Sequence, residues 1–202
     1  MILVPVFGMS QCRKMLDSTQ GVSIAMFVLA ATFTALQTWL AISAYKRKPV
    51  WATKQVVIVY IAGVLVYAMM ISIAFLKGSY VWGKNDSLAV VSSVLGTMIV
   101  VLIGRRHKLP WHDPIVKGWI NVPVRVVPNL VIAYTIWVSG ASGVSGTFVY
   151  VFNTLTIMRI AQIVLTSIKV REWDRNRVGL MIGETANELS WLVTTIIWQI
   201  KV

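Results

Sequence analysis

Six apolar stretches, each near the length that crosses a lipid bilayer, decide what this chain can fold into. They run roughly from Val22 to Tyr45, Gln55 to Phe75, Leu88 to Ile103, Trp119 to Val138, Thr147 to Ile168 and Val178 to Ile200. About 20 largely apolar residues cross the hydrocarbon core, and scattered charges are not tolerated there. The first three stretches hold no charged residue, the fourth and fifth hold one arginine each, and the sixth holds two glutamates. Of the 202 residues only 13% are charged, against about 25% in a soluble domain. Charges that sparse cannot cover a folded globule, so most of the surface must face lipid. A seventh, shorter apolar segment opens the chain, from Met1 through Gln11. It is too short to span alone and lacks the basic start and cleavage site of a signal peptide, so it reads as a shortened first helix. The fold class expected is all-α: a polytopic membrane protein of about seven transmembrane helices.

The formal net charge of +12 would point to nucleic acid in a soluble protein, but here its distribution follows the loops. Those on one side carry Lys46, Arg47, Lys48, Lys54, Arg105, Arg106, Lys108, Lys117, Lys169, Arg171, Arg175 and Arg177, twelve in all. The other side carries five: Arg13, Lys14, Lys77, Lys84 and Lys201. Basic loops stay in the cytoplasm, so the C-terminus is expected outside, and the N-terminus inside if the first helix spans and outside if it does not. The partner of these charges is then the anionic bilayer surface. No basic stripe interleaves with exposed aromatics, which argues against nucleic acid. Trp51, Trp82, Trp111, Trp119 and Trp173 lie near helix ends and suit interfacial anchoring.

The chain repeats itself. Val4-Pro5-Val6 is followed by Asp17-Ser18-Thr19-Gln20-Gly21-Val22-Ser23, which opens a helix; Val127-Pro128-Asn129 is followed by Ser142-Gly143-Val144-Ser145, which opens another. Proline precedes glycine by sixteen residues in the first copy and fifteen in the second. Each copy continues as an apolar helix, a basic loop and a second apolar helix. An odd helix between the copies lets both share one orientation. The expected division is a first three-helix repeat over 1–76, a linker helix within 77–108 and a second repeat over 109–202. Pro123 and Pro128 stand five apart in one stretch, and each removes a backbone donor, so a bend or hinge is expected there.

These motifs resemble the PQ-loop family, which includes the SWEET sugar transporters. Pro128-Asn129 looks like the family's proline-glutamine pair with Asn in place of Gln, and Pro5 marks the degenerate first copy. Both small-residue turns resemble the one that leads into the family's second helix. The resemblance implies two three-helix bundles joined by a linker helix, moving a small polar solute by alternating access. It also implies hinge roles for Pro5, Pro128 and Asn129. One feature departs from the family: it usually places these turns in the cytoplasm, whereas the charge count places them outside.

Ionisable residues at membrane depth cost about 2.5–3.5 kcal/mol each on insertion scales and mark function or pairing. Glu184, Asn187, Glu188 and Trp191 recur at helical spacing and share one face of the last helix. The preceding helix offers Asn153, Arg159 and Gln162. Equal counting from the loop near Trp173 sets Gln162 level with Glu184 and Arg159 level with Asn187. Arg125 reaches a similar depth from the fifth helix. Arg125, Arg159, Glu184 and Glu188 sum to zero, as burial demands. Arg159 is therefore expected to pair with Glu188 or Glu184, with Asn187 and Gln162 completing the hydrogen bonds. The first repeat offers only neutral groups: Gln37, Trp39, Tyr60 and Tyr67.

Two functions fit. One is a carrier of a small polar solute, using this polar set as its site. The other is a scaffold or subunit of a membrane complex, in which the ion pairs only staple helices; an oligomer is compatible with either. Enzyme chemistry is not expected, because no phosphate loop or nucleophile with a base is present. No cofactor or metal is expected either. The single Cys12 rules out an internal disulfide, and His107, His112 and Asp113 match no regular ligand spacing. A retinal opsin would need a lysine inside the last helix.

Overall fold

The computed structural model describes residues 3–47, 49, 51–78, 82–111 and 113–202, and every regular element among them is a helix. Seven helices follow in order: α1 (Leu3–Asp17), α2 (Ile24–Arg47), α3 (Trp51–Leu76), α4 (Lys84–Arg106), α5 (Pro114–Ser139), α6 (Gly146–Val170) and α7 (Arg175–Lys201). Helices α2 through α6 hold five segments long and apolar enough to cross a membrane, the architecture of a multi-pass membrane protein. The 15 residues of α1 reach only about 22 Å, short of the roughly 30 Å hydrocarbon core. The 27 residues of α7 are long enough, but its glutamates and first-turn arginines lower its apolar character.

Local chemistry sets the helix ends. Ser145 accepts from the Phe148 amide at the start of α6, and Asp174 accepts from the Arg177 amide at the start of α7. Each side chain satisfies an N–H that the helix cannot. Helix α5 starts at Pro114, five residues before the expected Trp119, because Asp113 accepts from the Ile115 amide and Pro114 occupies the first turn. Its prolines do not break it. Val122–Val126 forms one wider π-helical turn around Pro123, and the helix runs on to Ser139. Pro128 has no N–H to give that turn, and Ser93 on α4 donates its hydroxyl to the Pro123 carbonyl at 2.9 Å instead.

Helix α3 packs against both α1 and α2, while α7 packs against α5 and α6; α4 lies against α2 and α5. At the crossing of α5 and α7, a Cβ on Gly118 would fall 2.2 Å from the Gly179 carbonyl oxygen. Small residues there let the two backbones approach closely. The buried core joins both sets of helices, with Phe7, Met15, Phe27, Met70, Ile132, Ile136, Phe148 and Trp191 inside.

The two small-residue turns meet each other. Gly21 and Gly140 take positive φ, +81° and +92°, and a Cβ on Gly21 would lie 2.3 Å from the Gly140 oxygen. Left-handed backbone and contact this close leave room only for glycine. The Gly143 amide donates to the Gln20 carbonyl at 2.9 Å. Gln11 uses both ends of its amide: Nε2 donates to the Gly143 carbonyl and Oε1 accepts from the Ser145 amide, each at 2.8 Å. Ser142 donates to Gln20 Oε1 at 2.7 Å, and Ser10 shares a hydrogen bond with Ser145. Among the described residues, every hydrogen bond joining 3–47 or 51–76 to 113–202 lies in this clamp.

Candidate functional site

A cavity of about 240 Å³ lies at the mid-length of the helices, between α2 and α3 on one side and α5, α6 and α7 on the other. Its polar lining is Thr34, Gln37, Tyr60, Tyr67, Asn121, Arg125, Asn129, Arg159, Glu184 and Asn187. Toward the clamp it narrows onto aromatic rings. Phe152 stacks on Trp191 with centroids 4.7 Å apart, and Phe148 meets Trp191 edge-on at 5.7 Å. Phe27 and Phe148, both fully buried, close that end.

Glu184 is the anionic centre. Its Oε1 accepts from Arg125 at 2.9 Å and lies 3.6 Å from Arg159. The expected pairing of Arg159 with a carboxylate on α7 is therefore present, and Arg125 joins it. Asn187 completes no hydrogen bond to either arginine. It accepts from Asn129 and donates to Thr156, each at 3.2 Å. Asn129 also donates to Ser190 at 2.9 Å, and its carbonyl accepts from Thr194. A buried network thus ties the Pro128-Asn129 pair to the last helix.

The hydrogen-bonding roles expected of Asn187 and Gln162 beside this pair are both corrected. Gln162 does not join Glu184; it is exposed and its side chain meets no polar group of α7. Steps of three residues drift back about 60° each around a helix. Asn153, Thr156, Arg159 and Gln162 therefore walk from the buried face through the cavity to the outside. Glu188 pairs with neither arginine. It is buried, and both of its carboxylate oxygens lack a hydrogen-bond partner among the described residues. One helical turn moves it about 6 Å beyond Glu184 and about 40° around the axis, out of the guanidinium groups' reach.

Gln37, Trp191, Pro128 and Asn129 line the cavity with Arg125, Arg159, Glu184 and Asn187, whereas Asn153, Gln162 and Glu188 do not. Asn153 is buried and donates to the Val149 carbonyl and to Thr195. Pro5 lies within α1, with its side chain outside the described residues, as is all of His112. No group of three or more His, Cys, Asp or Glu that could hold a metal occurs among the described residues. Asp113 instead caps α5 and accepts from Arg175 at 2.8 Å. Trp51, Trp82, Trp111, Trp119 and Trp173 are all exposed.

Two structural residues carry no sequence signal of their role. Gln11 is a lone amide in an apolar run, and only the contact between α1 and α6 makes it part of the clamp. Asp86 resembles an ordinary first-turn acid of α4. In fact its Oδ1 accepts from Ser23 and from the Ala25 amide at 3.0 Å, capping α2 from a neighbouring helix.

Compared with known proteins, the chain matches no family model, no curated protein and no solved structure.

Proposed function

We propose that the chain is a membrane carrier that moves a small polar solute by alternating access through the central cavity. The observation that carries this reading is the contrast between the cavity and the clamp. Polar residues of both helix sets face a shared space at mid-depth, and among the described residues the hydrogen bonds between the sets gather at one end. Two bodies hinged at a single end can open that end and close the other. The parallel roles of α3 and α7, each set between the two helices before it, support reading residues 1–76 and 109–202 as repeats with α4 as linker, in the PQ-loop manner. With basic loops in the cytoplasm, the clamp closes the outer end, so this conformation faces inward.

The experiment is a distance measurement across the clamp. Spin labels at Asp17 and Thr147, both exposed, in a Cys12→Ala background should report two distance populations in vesicles. The Ser18→Cys/Ser142→Cys pair replaces hydroxyls 2.8 Å apart, and its oxidation should collapse them to the shorter one. A single population before oxidation would match the second reading, a static membrane subunit whose ion pairs only hold helices together. Orientation is checked by labelling cysteines from outside: Ser142→Cys should react, and Asn176→Cys should not.

A further inference from the structure

We infer that Arg159 holds the anionic end of the solute, so that the cavity takes a small organic carboxylate with a short, partly apolar body. This rests on the carrier reading for what the site is for, and it names the solute's class. The ionisable lining is Arg125, Arg159 and Glu184, two cations against one anion. Arg125 donates to Glu184 at 2.9 Å, whereas Arg159 stands at 3.6 Å and makes no hydrogen bond among the described residues. Glu188, the next acid along α7, lines no part of the cavity. One positive charge is left over.

Arg159 cannot shed that charge to the membrane surface. It lies eleven residues before the end of α6 at Val170, about 16 Å along the helix, too far for its side chain to reach the headgroups. Its side chain is half exposed and is part of the cavity lining. A guanidinium offers five donors in a planar fork that matches a carboxylate. Tyr60 and Tyr67 add lining hydroxyls with no partner among the described residues. One lining carboxylate shared by two guanidinium groups leaves the cavity wall net positive at this depth, and an anionic solute would complete the balance. A cationic solute would meet this excess head-on, since the free Oε2 of Glu184 is buried away from the space. The stacked Phe152 and Trp191 rings suit a hydrocarbon body. A cavity of about 240 Å³ suits a small solute.

The test uses three probes of one shape: lactate, the neutral lactamide and the cationic isopropanolamine. Binding is read by tryptophan fluorescence and thermal shift on the purified protein in uncharged detergent. Uptake is read in phosphatidylcholine vesicles against protein-free ones. Lactate alone should bind saturably; Arg159→Gln should weaken it at least about tenfold, the loss of a charged hydrogen bond, and Arg159→Lys, which keeps the charge without the planar fork, should restore only part of it. Equal binding of lactamide, preference for isopropanolamine, no binding of lactate, or undiminished binding by folded Arg159→Gln would each overturn the inference. So would competition by phosphatidylglycerol, which would assign the guanidinium to a lipid headgroup. Lactate that binds but does not cross would refute the carrier and leave the anion site standing. Transport of lactamide or isopropanolamine without lactate would do the reverse.

Discussion

The clamp and the cavity lie along the same seam between helices, yet they treat polar groups in opposite ways. At the clamp, Gln11 uses both ends of its amide and Gly143 both its N–H and its carbonyl, and a Cβ at Gly143 would lie 2.6 Å from two backbone oxygens. In the cavity, Arg159 reaches Glu184 only at 3.6 Å, and among the described residues neither it nor the lining tyrosines make a side-chain hydrogen bond. A buried polar group without a partner costs about 1–3 kcal/mol, so the clamp is built for its own stability. The cavity keeps donors that only water or a ligand can satisfy. The difference separates the part that holds the fold from the part free to act.

The largest effect should come from Glu184. Replacing it with Ala leaves Arg125 and Arg159 at membrane depth without a counter-ion, at a cost of about 3–5 kcal/mol. Reversible unfolding in mixed detergent micelles should read that loss; a change under 1 kcal/mol, on the order of a surface pair, would mean that water already screens the arginines. Next comes the clamp. Gln11→Ala strands the Gly143 carbonyl and the Ser145 amide, and should lower stability by about 1–3 kcal/mol. Gly143→Ala should cost about as much through overpacking against backbone. Both should leave lactate binding to the folded protein unchanged; a loss of binding would show that the two regions are coupled in this conformation.

The two glutamates of α7 sharpen the contrast within one helical turn. Glu188 has no hydrogen-bond partner to lose among the described residues, so Glu188→Gln should leave stability within about 0.5 kcal/mol of the parent or raise it. A loss as large as that of Glu184→Ala would reveal a partner for Glu188.

The smallest effect lies outside the membrane. Partial desolvation pushes the Asp113 carboxyl up, but the Ile115 amide and the Arg175 guanidinium outweigh it and hold the group below its usual 3.8. A lowered carboxylate contributes stability above its unfolded value and loses it as pH falls through the folded one. Asp113→Asn should therefore remove a small pH-dependent contribution below about pH 4, read as thermal midpoints against pH. Identical pH profiles for parent and variant would dismiss the pair.

Apolar length and the absence of charge were enough to read six long helices and a short first one from the sequence, because backbone in lipid must satisfy its own hydrogen bonds and helices do so locally. Helical spacing likewise set Glu184, Asn187 and Trp191 on one face. The sequence does not fix how far one helix slides or turns against another. Arg159 meets Glu184 from a level three residues away from equal counting, Gln162 turns outward, and Glu188 falls out of reach. Each of these follows from a rotation of tens of degrees or a shift of a few ångströms, set by side chains distant in the chain. Gln11 reaches residues more than 130 positions away, and Asp86 caps a helix 61 residues earlier. Local pattern determines which segments become helices and which face is polar. Packing between helices alone decides which polar groups find partners and which are left facing an open space.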